Sequence, residues 1–353
     1  LNNQPMGFYS PATIVKDAQR HGLKLLPVDV TKSEWNCTLE KVNSPQRYRG
    51  TEENKAMDLS SVTLCLCGEY DSAIALRMGL RYVRGLREEA GQALLRERAK
   101  TPFTSIHDLT RRVPELRKDE LTTLAEIGAL NAIGNSPRSH RDTEKKNGFQ
   151  STINNQQSTI FSLPQPALSG VEGCLRGERA LHRRDALWQV ERAVRPSGPL
   201  LEAQPEPDSP SPLAPMNHEE RLVADFHGTG LTVGPHPMAY RRAWLNAMGI
   251  RRASELRDLP TGKRLRIGGC VITRQRPGTA KGFVFLSLED ETGVANAIVR
   301  PDLFHENRLL LTSERFLAVE GILQNQDNVI SVRAERVLPL FVTKAETLSH
   351  DFH

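Results

Sequence analysis

The residues best suited to act on another molecule are basic and aromatic, and they fall in two places. The first is the stretch Tyr82-Val83-Arg84-Gly85-Leu86-Arg87, which runs into Glu88-Glu89-Ala90-Gly91. Gly85 lets the backbone turn tightly, and a helix starting just after it offers unpaired N–H groups at a positive dipole end, a natural site for a phosphate. Arg81, Arg84 and Arg87 can add charge-assisted contacts to such an anion. The same residues also fit an ordinary turn whose arginines are simply solvated. The second place lies between residues 274 and 300. Arg274 and Arg276 fall in the first connecting loop and Lys281 follows them, Phe283 and Phe285 alternate onto one face of the apolar second strand, and Asn296 and Arg300 lie on the third strand. Aromatics on an open strand stack nucleobases, and basic side chains around them hold phosphates. Against that, Val284, Leu286 and Leu288 are apolar too. Both phenylalanines could fill a core, and Ser287 alone marks an outer face in their phase.

Enzyme chemistry finds little support. The glycines of 79–91 are too widely spaced for a P-loop or a dinucleotide fingerprint, and there is no Gly-x-Ser-x-Gly elbow or His-Glu-x-x-His. No Asp-x-Asp pair in a strand context suggests two-metal chemistry. His236 sits between two prolines and reads as part of a rigid turn. The five cysteines are an odd number, and Cys65 and Cys67 have no second pair at zinc-ligand spacing. Free thiols in a reducing cytoplasm are the expectation, with no catalytic residue, metal or cofactor assigned to this chain.

These candidates need elements to position them. The chain has 353 residues, enough for about two domains, yet 38% are hydrophobic, and 25 Gly and 22 Pro imply much connector. A net charge of +5 permits a polyanionic partner. No run of 18 apolar residues offers a membrane-spanning helix, and the first residues lack the basic and apolar regions of a signal peptide. The chain does not begin with Met, which fits a piece of a longer protein. Ser10 and Pro11 start a helix that Gly22 stops, and LKLLPVDV follows as a strand ending at Asp29. Residues 43–74 read as a loop or insertion. From 75 to 134 short helical repeats alternate with turns, with Thr104 or Ser105 capping one of them. Residues 135–180 lack either period and read as a disordered, low-complexity insertion. Residues 181–262 carry short helices around a Pro-rich linker at 196–215, one helix capped by Asn217 and stopped by Gly228, another running from Tyr240 to Met248. From 263 to 340 the order is three strands, a helix and two strands, as in a five-stranded OB-fold barrel. Residues 341–353 are left as a tail.

Several segments together resemble one family: QPMGFYSPATIVKDAQRHG, ALRMGLRYVRGLREEAGQAL, PFTSIHDLTRRVPELRKDELTTLAEIGALNAIG, HRRDALWQVERA, HEERLVADFHGTGLTVGPHPMAYRR and GFVFLSLEDETGVANAIVRPDLF. They are similar to the C-terminal part of bacterial error-prone DNA polymerases, C-family enzymes related to the replicative polymerase III alpha subunit. The resemblance implies an α+β multidomain chain, a short-helix bundle with helix-hairpin-helix motifs followed by the barrel. Residues 1–42 would be the end of the fingers domain. Residues 75–134 would grip template–primer DNA through the hairpin at Val83–Leu86, with Arg87 standing where many such hairpins have a second glycine. The barrel would face single-stranded template. It further implies a DNA-directed DNA polymerase acting in translesion synthesis and repair, with mutagenesis-complex proteins and, indirectly, the sliding clamp as partners. The palm and its Mg-binding aspartates have no counterpart here, so the chain alone is expected to be inactive. A non-catalytic protein-interaction module and a decayed fragment are the alternatives.

Overall fold

A computed structural model of the chain describes residues 1–4, 9–42, 73–133, 181–195, 211–326, 329–342 and 350–352. Helix α1 (Pro11–Arg20) begins as expected, with Pro11 at its first position and the Ser10 hydroxyl accepting from Thr13 N–H. A three-stranded sheet follows: β1 (Lys24–Leu26), β2 (Thr38–Val42) and β3 (Ala73–Arg77), with β3 in the centre, parallel to β1 and antiparallel to β2. After a 3-10 turn at Leu80–Tyr82 come α2 (Glu88–Lys100), α3 (Ile106–Arg112), α4 (Lys118–Glu126) and α5 (Arg183–Val194). One apolar core joins α1, the small sheet and these helices, from Val15 through Leu94, Leu109 and Leu124 to Val190. Then come α6 (His218–Thr229), α7 (Pro237–Tyr240), α8 (Arg242–Ala247) and β4 (Ile250–Arg251).

The barrel is built from β5 (Arg264–Gln275), β6 (Val284–Glu289), β7 (Val294–Val299), the short helices α9 (Pro301–Glu306) and α10 (Arg308–Ser313), then β8 (Phe316–Gln326) and β9 (Val329–Pro339). The long β5 closes it, pairing with β6 through its end and with β8 through its start. A last strand, β10 (His350–Phe352), lies parallel to the end of β5. The interior is filled by alternate residues, among them Leu265, Ile267, Val284, Leu286, Leu288, Ala297, Val319 and Val332. This is the five-stranded OB architecture that the strand order implied.

The structure corrects the sequence reading at several points. Residues 73–77 are a strand, not the start of a helical run, because β3 is held on both edges and its buried Arg77 donates from Nη2 to Glu40 Oε2 of β2 at 2.9 Å. The strand after α1 ends at Leu26, since Pro27 has no N–H for a ladder. Gly228 does not stop α6. It lies inside the helix, where a Cβ would collide with Ile127, and Gly230, in the left-handed region at φ +75°, ends the helix. The helix expected over Tyr240–Met248 is α8, with Tyr240 ending α7 before it, and PDLFHENRLLL is two short helices. The rest of the loop expected over 43–74, the insertion at 135–180, most of the Pro-rich linker and most of the tail lie outside the described residues.

A polar seam fastens the helical part to the barrel. Arg20 of α1 donates to Glu289 of β6 at 2.9 Å, and Lys16 donates to Gly234 O. His236 lies 4.0 Å from Glu289 through Nε2, while its Nδ1 accepts from Met238 N–H and so must be unprotonated. On the barrel side Arg242 donates to Glu291 Oε2 at 2.6 Å and approaches Asp290. Asp290 in turn shapes the β6–β7 turn by accepting from the Thr292 and Gly293 N–H groups. Burial pushes the Glu289 carboxyl up to about 7 against the pull of Arg20 and Lys16, with Asp290 pushing the same way as burial. Burial, followed by Lys16, Arg20 and Arg242, drives His236 down to about 3. The two groups therefore act on stability in opposite directions. The Glu289 contribution is fully present below the ordinary value of 4.5 and is lost as pH rises through about 7. The His236 contribution is present above 6.5 and is lost as pH falls toward about 3. Between 4.5 and 6.5 their slopes cancel. Urea unfolding across this window should therefore show Glu289→Gln gaining stability with rising pH relative to wild type, and His236→Asn losing it, each by about 1 kcal/mol per pH unit. Parallel profiles for all three proteins would contradict this account of the seam.

Candidate nucleic-acid interface

The helical hairpins come as a pair. Val83-Arg84-Gly85-Leu86-Arg87 precedes α2, and Val113-Pro114-Glu115-Leu116-Arg117 precedes α4, so the pattern Val-x-x-Leu-Arg occurs twice. In both, the valine and leucine are buried and the leucine N–H returns to the valine carbonyl, at 3.3 and 3.2 Å. One carboxylate joins the two turns. Glu120, 1% exposed, accepts through Oε1 from Arg87 N–H and Arg87 Nε, both at 3.0 Å. Its Oε2 accepts from Arg117 N–H at 2.7 Å and Arg87 Nη2 at 3.1 Å. Burial raises the Glu120 carboxyl, but the bonds from Arg87 and the two amides outweigh it and hold it below its ordinary value.

This changes the reading of the three hairpin arginines. Arg87 points inward to Glu120 and also donates to Glu115 O. Arg84 donates through its backbone to Gly228 O at 2.7 Å and through Nη1 to His227 O at 3.3 Å, so its charge sits against the C-terminal end of α6. Arg81 donates to Asn2 O at 2.7 Å and Asn36 Oδ1 at 3.2 Å. It lies in the 3-10 turn at Leu80–Tyr82. Arg81 and Arg84 are nonetheless exposed, and Gly85, at φ +79° with open space where a Cβ would stand, leaves that stretch of backbone accessible. Glu88 and Glu89 occupy the first turn of α2 and oppose an incoming anion there. The hairpin offers a side-chain contact for phosphate more readily than a helix-dipole one.

The barrel presents a more open face. Phe285 is 37% exposed and points away from the core, in register with Gln275 of β5 and Ile298 of β7. The interior is filled by Val284, Leu286 and Leu288 instead. On the same outer face, Ser287 and Asn296 stand opposite one another with their side-chain oxygens 3.0 Å apart. Phe283, half-buried, precedes the strand. At that end Arg276 stacks over the Phe304 ring at 4.7 Å and reaches the region of Gly282 and Pro301, flanked by exposed Lys281 and Arg300. Arg300 caps α9 and is not part of β7 itself. Arg274 is a second correction. It lies in β5, not in the loop, and is 8% exposed, donating from Nε to Leu311 O at 2.7 Å and also to Glu314 O. Its cation stabilises the end of α10. The face thus brings together Phe283, Phe285, Asn296, Arg276, Lys281 and Arg300, and leaves Arg274 out. Gln275 and Glu120 were missed from sequence; the repeated Val-x-x-Leu-Arg pattern was the available signal for the second.

Cys37 and Cys270 are buried thiols. Among the described residues no group of three or more His, Cys, Asp or Glu is arranged to hold a metal ion.

A model for the helix-hairpin-helix motif matches residues 22–140, and one for an OB-fold nucleic acid binding domain matches residues 265–340. Over its whole length the chain is 35% identical to an error-prone DNA polymerase of Azoarcus sp., covering 27% of that protein. It is 36% identical to that of Anaeromyxobacter sp., covering 25%, and 33% identical to that of Pseudomonas aeruginosa, covering 27%. The chain thus spans about a quarter of the length of these relatives. A solved asparaginyl-tRNA synthetase of Pyrococcus horikoshii aligns over 24% of this chain and 21% of its own at a TM-score of 0.21.

The paired hairpins generate a direct test. Glu120→Ala should cost about 2–3 kcal/mol in urea unfolding, because the Arg87 guanidinium and two amides lose a charged acceptor together. Glu120→Gln should flatten the acid limb, since a carboxylate held low stabilises above its ordinary value and loses that effect as pH falls. Wild-type stability in both variants would show that the carboxylate does not hold the hairpins.

Proposed function

The chain is a relative of the C-terminal quarter of bacterial error-prone DNA polymerases, and we propose that it is the DNA-handling portion of such an enzyme. In this reading the barrel holds single-stranded template and the first hairpin touches the backbone of template–primer DNA. The observation that carries it is Phe285, a large aromatic turned outward from a barrel whose interior is already filled. Beside it Ser287 and Asn296 offer hydrogen-bonding edges to a base, and Arg276, Lys281 and Arg300 offer cations to the flanking phosphates. Arg81 and Arg84 supply the hairpin contacts with the donors left over from their protein carbonyls. Arg87 does not take part, because its guanidinium neutralises Glu120.

The parent reaction, nucleotidyl transfer onto a primer during translesion and repair synthesis in the cytoplasm, would be supplied by residues outside this chain. Two weak grips on one strand raise each other's effective concentration, so separate losses should be modest and a combined loss large. The docking of Arg84 against α6 favours a second role for the hairpins, as a scaffold on which the helices meet.

The test is anisotropy titration of this chain with labelled single-stranded and primer–template DNA over a range of salt. Binding should weaken steeply with salt, and Phe285→Ala should cost about 1–3 kcal/mol on single strands. Arg84→Ala should weaken primer–template binding and leave single-strand binding largely alone. No nucleotide incorporation is expected from the chain by itself. Equal binding by wild type and Phe285→Ala would refute the role given to the barrel face.

A further inference from the structure

We propose that the outer surface of β9, β8 and the start of β5 continues the barrel's binding face as an arginine track for the sugar-phosphate backbone of a single strand. The inference rests on the reading of the Phe285 face given above, and extends it to strands that no candidate residue occupied. Strand register supplies the continuity. Phe285 lies opposite Ile298, Ile298 opposite Arg333 of β9, Arg333 opposite Ile322 of β8, and Ile322 opposite Arg264 of β5. Residues in one such row point to the same side of a sheet. A second row beside it holds Arg336, Glu320 and Arg266.

A bulge makes this possible. Residues three apart on a regular strand face opposite sides, so Arg333 and Arg336 would diverge. In β9 the register shifts by one residue, with Glu320 opposite Arg336 but Gly321 opposite Ala334, and both arginines end up exposed. Their neighbours Val332, Ala334 and Val337 point into the core. The surface therefore carries four arginines against two carboxylates. Glu320 receives Arg266 at 3.1 Å and Arg264 at 3.2 Å, and Glu335 receives Arg264 at 3.2 Å. Among the described residues Arg333 and Arg336 form no ion pair.

That arrangement suits a phosphate chain. The arginines bonded to Glu320 and Glu335 are held in place on the sheet while keeping outward donors, and Arg333 and Arg336 carry the excess charge, that of Arg336 reaching Glu320 opposite it without an ion pair. The row crosses four strand gaps of about 4.8 Å, so it extends about 19 Å from Phe285. A strand with a base on Phe285 would reach Arg333 first and Arg264 last.

The experiment uses the full chain and oligothymidylates of about 4 and about 12 residues, at the low and high parts of the range of OB-fold site sizes. Arg333→Ala/Arg336→Ala should weaken the long oligomer about tenfold and reduce the magnitude of its salt slope by about 1.4, two phosphate contacts at roughly 0.7 each. The short oligomer should lose much less. Arg333→Lys/Arg336→Lys should restore the slope, which separates charge from folding. An unchanged slope on the long oligomer, with Phe285→Ala still impaired on the short one, overturns the track alone. Indifference of the short oligomer to Phe285→Ala overturns the reading of the face on which the track depends.

Discussion

The helical half of this protein turns on one buried carboxylate. Glu120 accepts from a guanidinium and from the backbone amides that open two different helices. A buried charge is costly unless every lone pair finds a donor, and here four donors converge on two oxygens. The arrangement fixes α2 against α4 and, through them, the two hairpins. Because Val83, Leu86, Val113 and Leu116 all enter one core, the position of Arg84 and Gly85 follows from how Glu120 is held.

That constraint explains where cations are available and where they are not. Arg87, Arg274 and Arg242 look alike in sequence to the arginines that face solvent, yet each is directed at a buried acceptor or a helix end. Arg20 does the same across the seam, where Glu289 ties α1 to the barrel. The barrel's outward rows place Phe285, Asn296 and Arg333 on a surface that the interior does not require. Both halves use arginine for cohesion, Arg87 on Glu120 in the helical part and Arg274 on the end of α10 in the barrel, and both leave others exposed, Arg84 beside the first hairpin and Arg333 on β9.

The barrel was the most legible part. Strict alternation over β6 and β7, a turn at Asp290–Gly293 and a Pro-started helix after β7 are local signals, and they identified the OB order. The caps of α1, α3 and α6 were legible for the same reason, since Ser10, Ser105 and Asn217 act within a few residues of themselves. Strands β2 and β3 were not. They are short, carry no sustained period, and exist because residues far apart in the chain pair with one another. Arg274 was misplaced for a related reason: its position near a loop is local, but the α10 carbonyls that receive it come from a later part of the chain.

What the sequence determined by itself was the family likeness, the order of elements and the residue types available for holding nucleic acid, all properties of neighbours along the chain. The tertiary structure decided which of those residues are free to act. Whether Phe285 faces in or out depends on what already fills the barrel, and whether an arginine is a ligand or a brace depends on the carboxylate opposite it. Burial and charge pairing are set by contacts between distant segments, and no local pattern records them.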